Sequence, residues 1–468
     1  MNSNSMIDQI DSIFQQQQLF KIELRHSDVH ERIEKLRRLR RVIESNEDLI
    51  YEALAKDLRK SRNEAAISEV LFIYGEIEFA IRHLRTWMRP KHVGRSMTNL
   101  LAKSSIVYQP KGAVLIISPW NYPFQLTMSP LVSAVAAGNC IVLKPSEHSP
   151  YTASLIRTMI SEAFDVKEIV CIEGEKSTAE TLLKLPFDHI FFTGSSVVGK
   201  QIMRAASDHL SSVTLELGGK SPVILDETAH LEKAANKVAW GKLINAGQTC
   251  IAPDYVLLPT GLRDEFVKHY LNAVKKMFFT GSGEIDPTRY AKIINQKHAD
   301  RLSTLIARSV EDGATLVEGG QLSEDLTLNP TLLTGVSLDN AIMSEEIFGP
   351  ILPIITYDNL EDAISIVNQG EKPLALYIFS ESRHHTQLII QQIASGGVCV
   401  NDVLIHVSNP HLPFGGVNGS GQGSCHGFFG FKAFSHERAI MRQSKYDLSK
   451  WIYPPYKNGI FKLLKKWI

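Results

Sequence analysis

From Gly112 to Leu143 the chain carries no charged residue: GAVLIISPWNYPFQLTMSPLVSAVAAGNCIVL. A stretch this apolar either crosses a membrane or fills the interior of a sizeable domain. Pro119, Asn121, Pro123, Pro130, Gly138 and Asn139 cut it into pieces too short to span a bilayer, so it reads as domain interior. Its rhythm then sets the fold class. GAVLIIS is a buried strand, PLVSAVAAGN a helix closed by Gly138, and CIVLKP the next strand. SPYTASLIRTMISEAF follows as a helix with a Ser cap, then EIVCIEG and HIFFTG as strands. Strands alternating with helices demand parallel βαβ units and a doubly wound α/β sheet. The alternation restarts after residue 220 and runs to about 400, which predicts a second α/β domain. A length of 468 residues has room for both.

Around this interior the chain is ordinary. Val29, Ile33, Leu36, Leu39 and Ile43 recur at helical spacing, and a second helix runs from about Ser68 to Met88, ahead of Pro90. Residues 93–108 read as a strand-bearing excursion, and there are no repeats or low-complexity linkers. Fifty Lys+Arg cancel fifty Asp+Glu, so no electrostatic footprint for nucleic acid is present. The five cysteines form no C-x-x-C pair and no Cys/His cluster with zinc spacing. That pattern implies a reduced, cytoplasmic protein without a bound metal. The N-terminal MNSNSMIDQIDSIFQQQQLF lacks a basic start and apolar core, so no secretory signal is expected.

Several short segments hold candidate chemistry, each with a plainer alternative. In HIFFTGSSVVGKQ a strand turns at Gly194 into a helix starting at Ser195 or Ser196. Such a helix start can hold a pyrophosphate, or simply be a βα turn, since the glycine spacing is G-x-x-x-x-G. In VTLELGG, Glu216 alternates off the apolar face of a strand. It is either a general base or a solvated edge residue or cap. Cys250, in NAGQTC, falls in a loop and is either an inert thiol or a nucleophile. Asn121, in SPWNYPF, ends a parallel strand, where its amide could donate to an oxyanion or only shape a turn. Lys144 and Glu147 in LKPSE either bond ribose hydroxyls or cap the following helix. The glycine-rich segment 413–427 is a connector or a loop near a ligand.

In order along the chain, SPWNYPF, LKPSE, FTGSSVVG, LELGGKSP, GQTC and EEIFGP resemble the signature segments of the NAD(P)-dependent aldehyde dehydrogenase superfamily. The resemblance covers residues 30 to about 456. GQTCIAPDY, EKPLALYIFS, NDVLIH, LPFGGVNGSGQGSCHG and FSH are most similar to the class 3 branch of dimeric and fatty aldehyde enzymes. It implies an aldehyde dehydrogenase-like fold of two doubly wound parallel-sheet domains plus a small strand-bearing domain. The dinucleotide-binding domain would span 1–92 and 109–216 and the catalytic domain 217–403. The stretches 93–108 and 404–440 would form a bridging and oligomerisation domain, and 441–468 a tail.

The same resemblance implies roles. Cys250 would be the nucleophile, Asn121 and the Cys250 backbone N–H the oxyanion donors, and Glu216 the base that activates water against a thioester. Lys144 and Glu147 would approach the adenosine ribose and Gly194 and Ser195 the pyrophosphate. Glu346 and Phe348 would lie near the nicotinamide ribose, with Trp120 in the same pocket wall. Glu346 would also be a second candidate for moving protons. NAD is the expected cofactor, because Glu147 should repel a 2′-phosphate, with NADP also accepted as in class 3 relatives. The expected product is a free acid, made from a medium or long aliphatic or an aromatic aldehyde by a homodimer. CoA-acylating members of the superfamily typically lack a glutamate at the LELGG position, which makes CoA acylation the runner-up. A catalytically silent NAD-binding protein is the alternative from another class, and loss of Cys250 or Glu216 would have marked it. At the C-terminus, Ile460, Leu463, Leu464 and Trp467 share one helical face and Lys462, Lys465 and Lys466 another. That pattern is either a peripheral membrane contact or a tail packed on protein.

Overall fold

The computed structural model describes residues 3–96, 99, 101–446, 453–455, 459 and 465. The amphipathic stretch at 457–468 lies outside the described residues, apart from Gly459 and Lys465. Among the described residues, no helix is long and apolar enough to cross a membrane.

Among the described residues the strands form three sheets, and two of these are doubly wound α/β sheets, as the alternation requires. The first has the order Gly421–Gln422, Ser212–Glu216, His189–Thr193, Ala113–Ile117, Cys140–Lys144, Ile169–Cys171. All run parallel except Gly421–Gln422, which pairs antiparallel with Leu215 and Glu216. From Ala113–Ile117 the chain winds outward through two strands, then returns to lay His189–Thr193 on the other side. The strand order therefore reverses between Ala113–Ile117 and His189–Thr193, where the carboxyl ends of open α/β sheets leave a crevice.

Side chains alternate across this sheet with the period of two that a strand imposes. Val114 and Ile116 join one core with Leu36, Ile73, Leu131 and Ile156 from the covering helices. Ala113, Leu115 and Ile117 face the opposite way, onto Ile10, Phe14 and Ile202. The N-terminal lead is thus no loose extension. Ser3–Leu24 is a 22-residue helix, with Phe14 edge-on to Phe187 at 4.9 Å. Gln17 Nε2 donates to the Ile141 carbonyl at 3.2 Å. The glutamine run Gln15–Gln18 dilutes the apolar spacing, which hides this helix from a periodicity reading.

Two further details differ from expectation. The helical stretch read from about Ser68 starts earlier, at Arg62, with a π turn over Ala66–Val70 before Leu71–Trp87. Ser149 sits at the cap of helix Pro150–Ala163, but its hydroxyl donates to Ser146 instead of capping. Asp57 supplies the cap from a distant helix, accepting from the N–H groups of Tyr151 (3.3 Å) and Thr152 (2.8 Å).

The second sheet has the order Thr315–Glu318, Thr331–Thr334, Ile351–Tyr357, Tyr255–Pro259, Pro222–Leu225, Ala375–Phe379, Gly397–Val400. It is parallel except for Thr315–Glu318. A third, antiparallel sheet joins Lys91–His92, Lys103–Pro110 and Ser435–Arg442. The last of these is an edge strand, exposed from His436 onward.

Candidate active site

The two large sheets meet at an apolar cavity of about 290 Å³. Phe72 and Leu126 line it from the first unit, and Ile251 and Leu404 from the second. Cys250 and Glu216 both open onto this space.

Cys250 follows a 3-10 turn, Ile244–Gly247, at the end of helix Leu231–Leu243. It is half-buried, whereas the other four cysteines are buried. Burial, with Glu346 and Glu216 nearby, pushes its thiol up to about 12. The N–H groups of Cys250 and Ile251 act the other way, favouring negative charge at the sulfur. The site thus stores a protonated thiol beside donors suited to its anion.

Glu216 ends strand Ser212–Glu216 and is 5% exposed. Leu215 and Leu217 pack into the core on one side of the sheet, so the strand period turns Glu216 to the other, onto the cavity wall. Neither carboxylate oxygen has a nitrogen or oxygen partner, and the Cys425 thiol is the one polar neighbour that favours its charge. Burial pushes the carboxyl up to about 8, opposed by the Cys425 thiol beside it. The solvated-edge reading is therefore excluded. A buried carboxyl with only a thiol beside it is costly, and it faces the Cys250 cavity.

Asn121 is buried and not itself on the cavity wall. Its Nδ2 donates to the Gln248 carbonyl at 3.0 Å, two residues before Cys250. The neighbouring Tyr122 hydroxyl bonds Thr249 Oγ1 at 2.8 Å. These two bonds tie SPWNYPF to GQTC across the unit boundary, and the Asn121 amide keeps a second N–H.

Of the residues expected to hold the cofactor, Trp120, Lys144, Glu147, Gly194 and Ser195 follow or end strands at the carboxyl edge of the first sheet, whereas Glu346 and Phe348 precede strand Ile351–Tyr357 of the second. Lys144 ends its strand with its ammonium buried, donating to Glu147 Oε2 at 2.9 Å. Glu147 lies in the turn ahead of helix Pro150–Ala163, not in its first turn. Against the effect of burial, its own backbone N–H and the Lys144 ammonium next to it hold its carboxyl below the usual range. Gly194 ends His189–Thr193, and Ser195 caps helix Ser196–Ser207, its hydroxyl accepting from Val198 N–H at 3.4 Å. Val197 in that first turn is 70% exposed, so this helix start opens to solvent at the switch point. Trp120 packs on Phe348 (5.4 Å, 84°) and on His298 (5.0 Å, 52°). Glu346 lies against Gly218, where an added Cβ would meet its Oε2 at 2.0 Å. Burial and the nearby Asp254 push the Glu346 carboxyl up to about 8. An exposed helix start for a pyrophosphate, a buried ammonium paired with a carboxylate and an aromatic wall all fit a dinucleotide.

Some contributors were not legible beforehand. The glycine-rich 413–427 segment adds the strand Gly421–Gln422 beside Glu216, and its Phe414, Cys425 and His426 line the cavity. Lys60, Glu64 and Glu69 were read only as part of a charged helical region, yet they bond to the segments that carry Asn121 and Cys250. Among the described residues, Asp226, Glu227 and His385 form a group with metal-ligand spacing. They lie away from the cavity, with Asp226 already bonded to Ser380 and His385.

Comparison with known proteins agrees with this geometry. The aldehyde dehydrogenase family profile matches residues 4–440. The chain is 44% identical over 439 residues to a 4,4'-diaponeurosporen-aldehyde dehydrogenase of Staphylococcus aureus, covering 94% of each chain. It is 41% identical over 443 residues to an aldehyde dehydrogenase family 3 member A2 of Pongo abelii, covering 93% and 90% of the two. A substrate-bound Staphylococcus aureus AldH structure superposes with a TM-score of 0.93 at 42% identity, over 98% of this chain and 99% of that one. A Mycobacterium tuberculosis aldehyde dehydrogenase complexed with NAD+ superposes with a TM-score of 0.85 at 28% identity, over 94% and 92%. With its fold, its signature segments and relatives matched over nearly its whole length, the chain belongs to the aldehyde dehydrogenase family.

Proposed function

We propose that the chain oxidises medium- or long-chain aliphatic or aromatic aldehydes to carboxylic acids, with NAD as acceptor and NADP also accepted. The observation that carries this reading is the meeting of Cys250 and Glu216 on the wall of one apolar cavity. The Cys250 loop is pinned against Asn121 by the Gln248 bond. The Cys250 thiol passes its proton to water in the cavity, and the thiolate attacks the aldehyde carbon, forming the C–S bond and a thiohemiacetal oxyanion. The oxyanion lies between the Asn121 amide and the Cys250 N–H. Lys144, Glu147, Gly194, Ser195, Glu346 and the Trp120–Phe348 wall would hold NAD(P), which when bound would supply the electron-pair acceptor for oxidising the thiohemiacetal to a thioester. Glu216 then removes a proton from water as it attacks the thioester, releasing the acid and restoring Cys250. A carboxyl raised to about 8 is well matched to proton transfer near neutral pH.

The cavity lining favours an apolar tail, at about 25 cal/mol per Å² of surface it buries. The 44% identical relative is named for 4,4'-diaponeurosporen-aldehyde, consistent with an apolar substrate. Cofactor handling is assigned to residues 1–92 and 109–216, and the nucleophile to 217–403. Ser435–Arg442, an exposed edge strand, is the surface through which a homodimer would form. Five free cysteines suit the cytoplasm. Any peripheral membrane contact would rest on residues 457–468.

The test is NAD(P)H formation with aldehydes from acetaldehyde to hexadecanal and with benzaldehyde, using NAD and NADP, with and without CoA. Turnover without CoA that Cys250→Ala abolishes is the expected result. Turnover only with CoA would establish acylation instead. Cofactor binding without any turnover would establish a silent protein.

A further inference from the structure

Three charged side chains from residues 60–69, the buried Lys60 and Glu69 and the half-buried Glu64, have no part in the chemistry above. Lys60 and Glu69 pair with both side chains at 0% exposure. Lys60 also donates to the Asn121 carbonyl at 3.0 Å, its ammonium 3.7 Å from the centre of the Tyr122 ring. The second oxygen of Glu69 accepts from the N–H groups of Phe124 (3.0 Å) and Gln125 (2.9 Å), at the start of helix Gln125–Ala137. Glu64 Oε1 accepts from the Asn245 N–H at 2.9 Å. The Asn245 side-chain amide donates to the carbonyls of Asn121 (2.8 Å) and Gln248 (3.1 Å). These bonds close a ring around the two segments that carry the oxyanion donor and the nucleophile.

The ring surrounds a strained piece of backbone. Asn245, Ala246 and Gly247 all have left-handed φ, at 53°, 51° and 72°. A non-glycine residue in that region is strained and persists only where its surroundings over-determine it. Gly247 has no alternative, since an added Cβ would lie 2.3 Å from the Gly349 carbonyl oxygen. Cys250 follows this turn directly, so its position depends on whatever holds the turn. Glu64 grips the turn's first residue, from within the short helix Arg62–Ala65 that precedes a π turn. π turns recur at functional sites because they displace backbone locally.

We propose that Glu64 is a positioning residue for the aldehyde oxidation proposed above. Through the Asn245 N–H it holds the left-handed Asn245–Gly247 turn, and so keeps Cys250 and Asn121 in the mutual geometry that oxyanion stabilisation requires. The inference rests on that functional reading. Removing Lys60 or Glu69 would leave a buried charge alone and endanger folding. Glu64 is half-buried and offers a gentler change. Burial pushes its carboxyl up to about 7, with Lys60 opposing, so a neutral acceptor at this position is close to its ordinary state. Glu64→Gln keeps the accepting oxygen, whereas Glu64→Ala removes it.

The test measures both variants with hexanal and NAD, alone and combined with Asn121→Ala, and follows alkylation of Cys250 by iodoacetamide with mass spectrometry. A misplacement near 1 Å predicts that E64A lowers kcat by about 10- to 100-fold, with KM for hexanal within about threefold and E64Q within about threefold of wild type. In the Asn121→Ala background, E64A should cost less than about threefold, because the Cys250–Asn121 alignment it maintains no longer has its Asn121 amide. A residue that merely stabilises the fold would not show that coupling. An E64A kcat close to wild type, a full penalty persisting without Asn121, or an E64Q defect equal to that of E64A would each overturn the proposal. If the wild type oxidises no aldehyde, the functional reading fails separately and alkylation decides. E64A must then change the Cys250 rate by at least about fivefold while E64Q does not, and equal rates would refute the role. Should E64A fail to fold, E64D, which keeps the charge but withdraws the acceptor, replaces it in every comparison.

Discussion

Replacing Glu216 with Gln should stabilise the protein in a pH-dependent way while stopping thioester hydrolysis. In the fold its carboxyl is pushed from an ordinary 4.5 up to about 8, with burial the leading cause. At roughly 1.4 kcal/mol per pH unit, holding the ionised form inside costs about 5 kcal/mol once the group is fully charged. The sign follows from proton binding. Between the ordinary value and about 8, the native protein keeps a proton that the unfolded chain has lost, so stability falls as pH rises through that window. Below it both states are protonated and the cost vanishes. Gln cannot ionise, and its orphaned amide costs about 1–3 kcal/mol at every pH. The stability of E216Q relative to wild type should therefore rise by about 3 kcal/mol between pH 4.5 and 7, and by somewhat more than 1 kcal/mol again by pH 9. Other buried groups, including Glu346, are common to both proteins and largely cancel. Urea melts of both at pH 5, 7 and 9, followed by tryptophan fluorescence, measure the difference. A difference that stays constant across the range would show Glu216 to be solvated or paired, and would remove the reason for calling it a tuned base. In the same samples, E216Q should release about one equivalent of NADH and then stop.

Four other outcomes follow from the site. Cys250→Ala should lose aldehyde oxidation by about 10⁴-fold or more while still binding NAD, measured by fluorescence titration. Asn121→Ala should lower kcat by about 10²- to 10³-fold with a small change in KM, as loss of an oxyanion donor does in steady-state kinetics. The thiol of Cys250 is pushed up to about 12, partly by two carboxyls, so its alkylation by iodoacetamide should still be accelerating at pH 10. E216Q should be alkylated faster at pH 9, since one opposing negative charge is gone, and an unchanged rate would contradict the placement of Glu216 beside the sulfur.

Much of this protein is legible in its sequence because the relevant forces are local. Residues 112–144 hold an apolar run, a helix closed by Gly138 and a second apolar run, and those three pieces can be satisfied only by a parallel βαβ unit. The strand and helix around Gly194 are read the same way. Where the signal was poor, a physical cause is visible. Helix Ser3–Leu24 buries few residues among many glutamines, so its pattern is faint until Phe14 finds Phe187. Ser149 has the right residue type for a cap, yet Asp57 reaches the helix start from 94 residues away.

The sequence by itself determined the α/β class, the family through its ordered signature segments, and the chemical types available at Cys250, Glu216 and Asn121. Only the tertiary structure decided that Glu216 is buried with only a thiol beside it, that Asn121 bonds the Gln248 carbonyl, and that the glycine-rich segment lays a strand against Glu216. It also decided that Lys60, Glu64 and Glu69, which look like solvated helix charges, bond the segments of the site. The division has one reason. Strand and helix periods are set by neighbours in the chain, whereas burial and hydrogen-bond partners are set by which distant segments come to share a low-dielectric space.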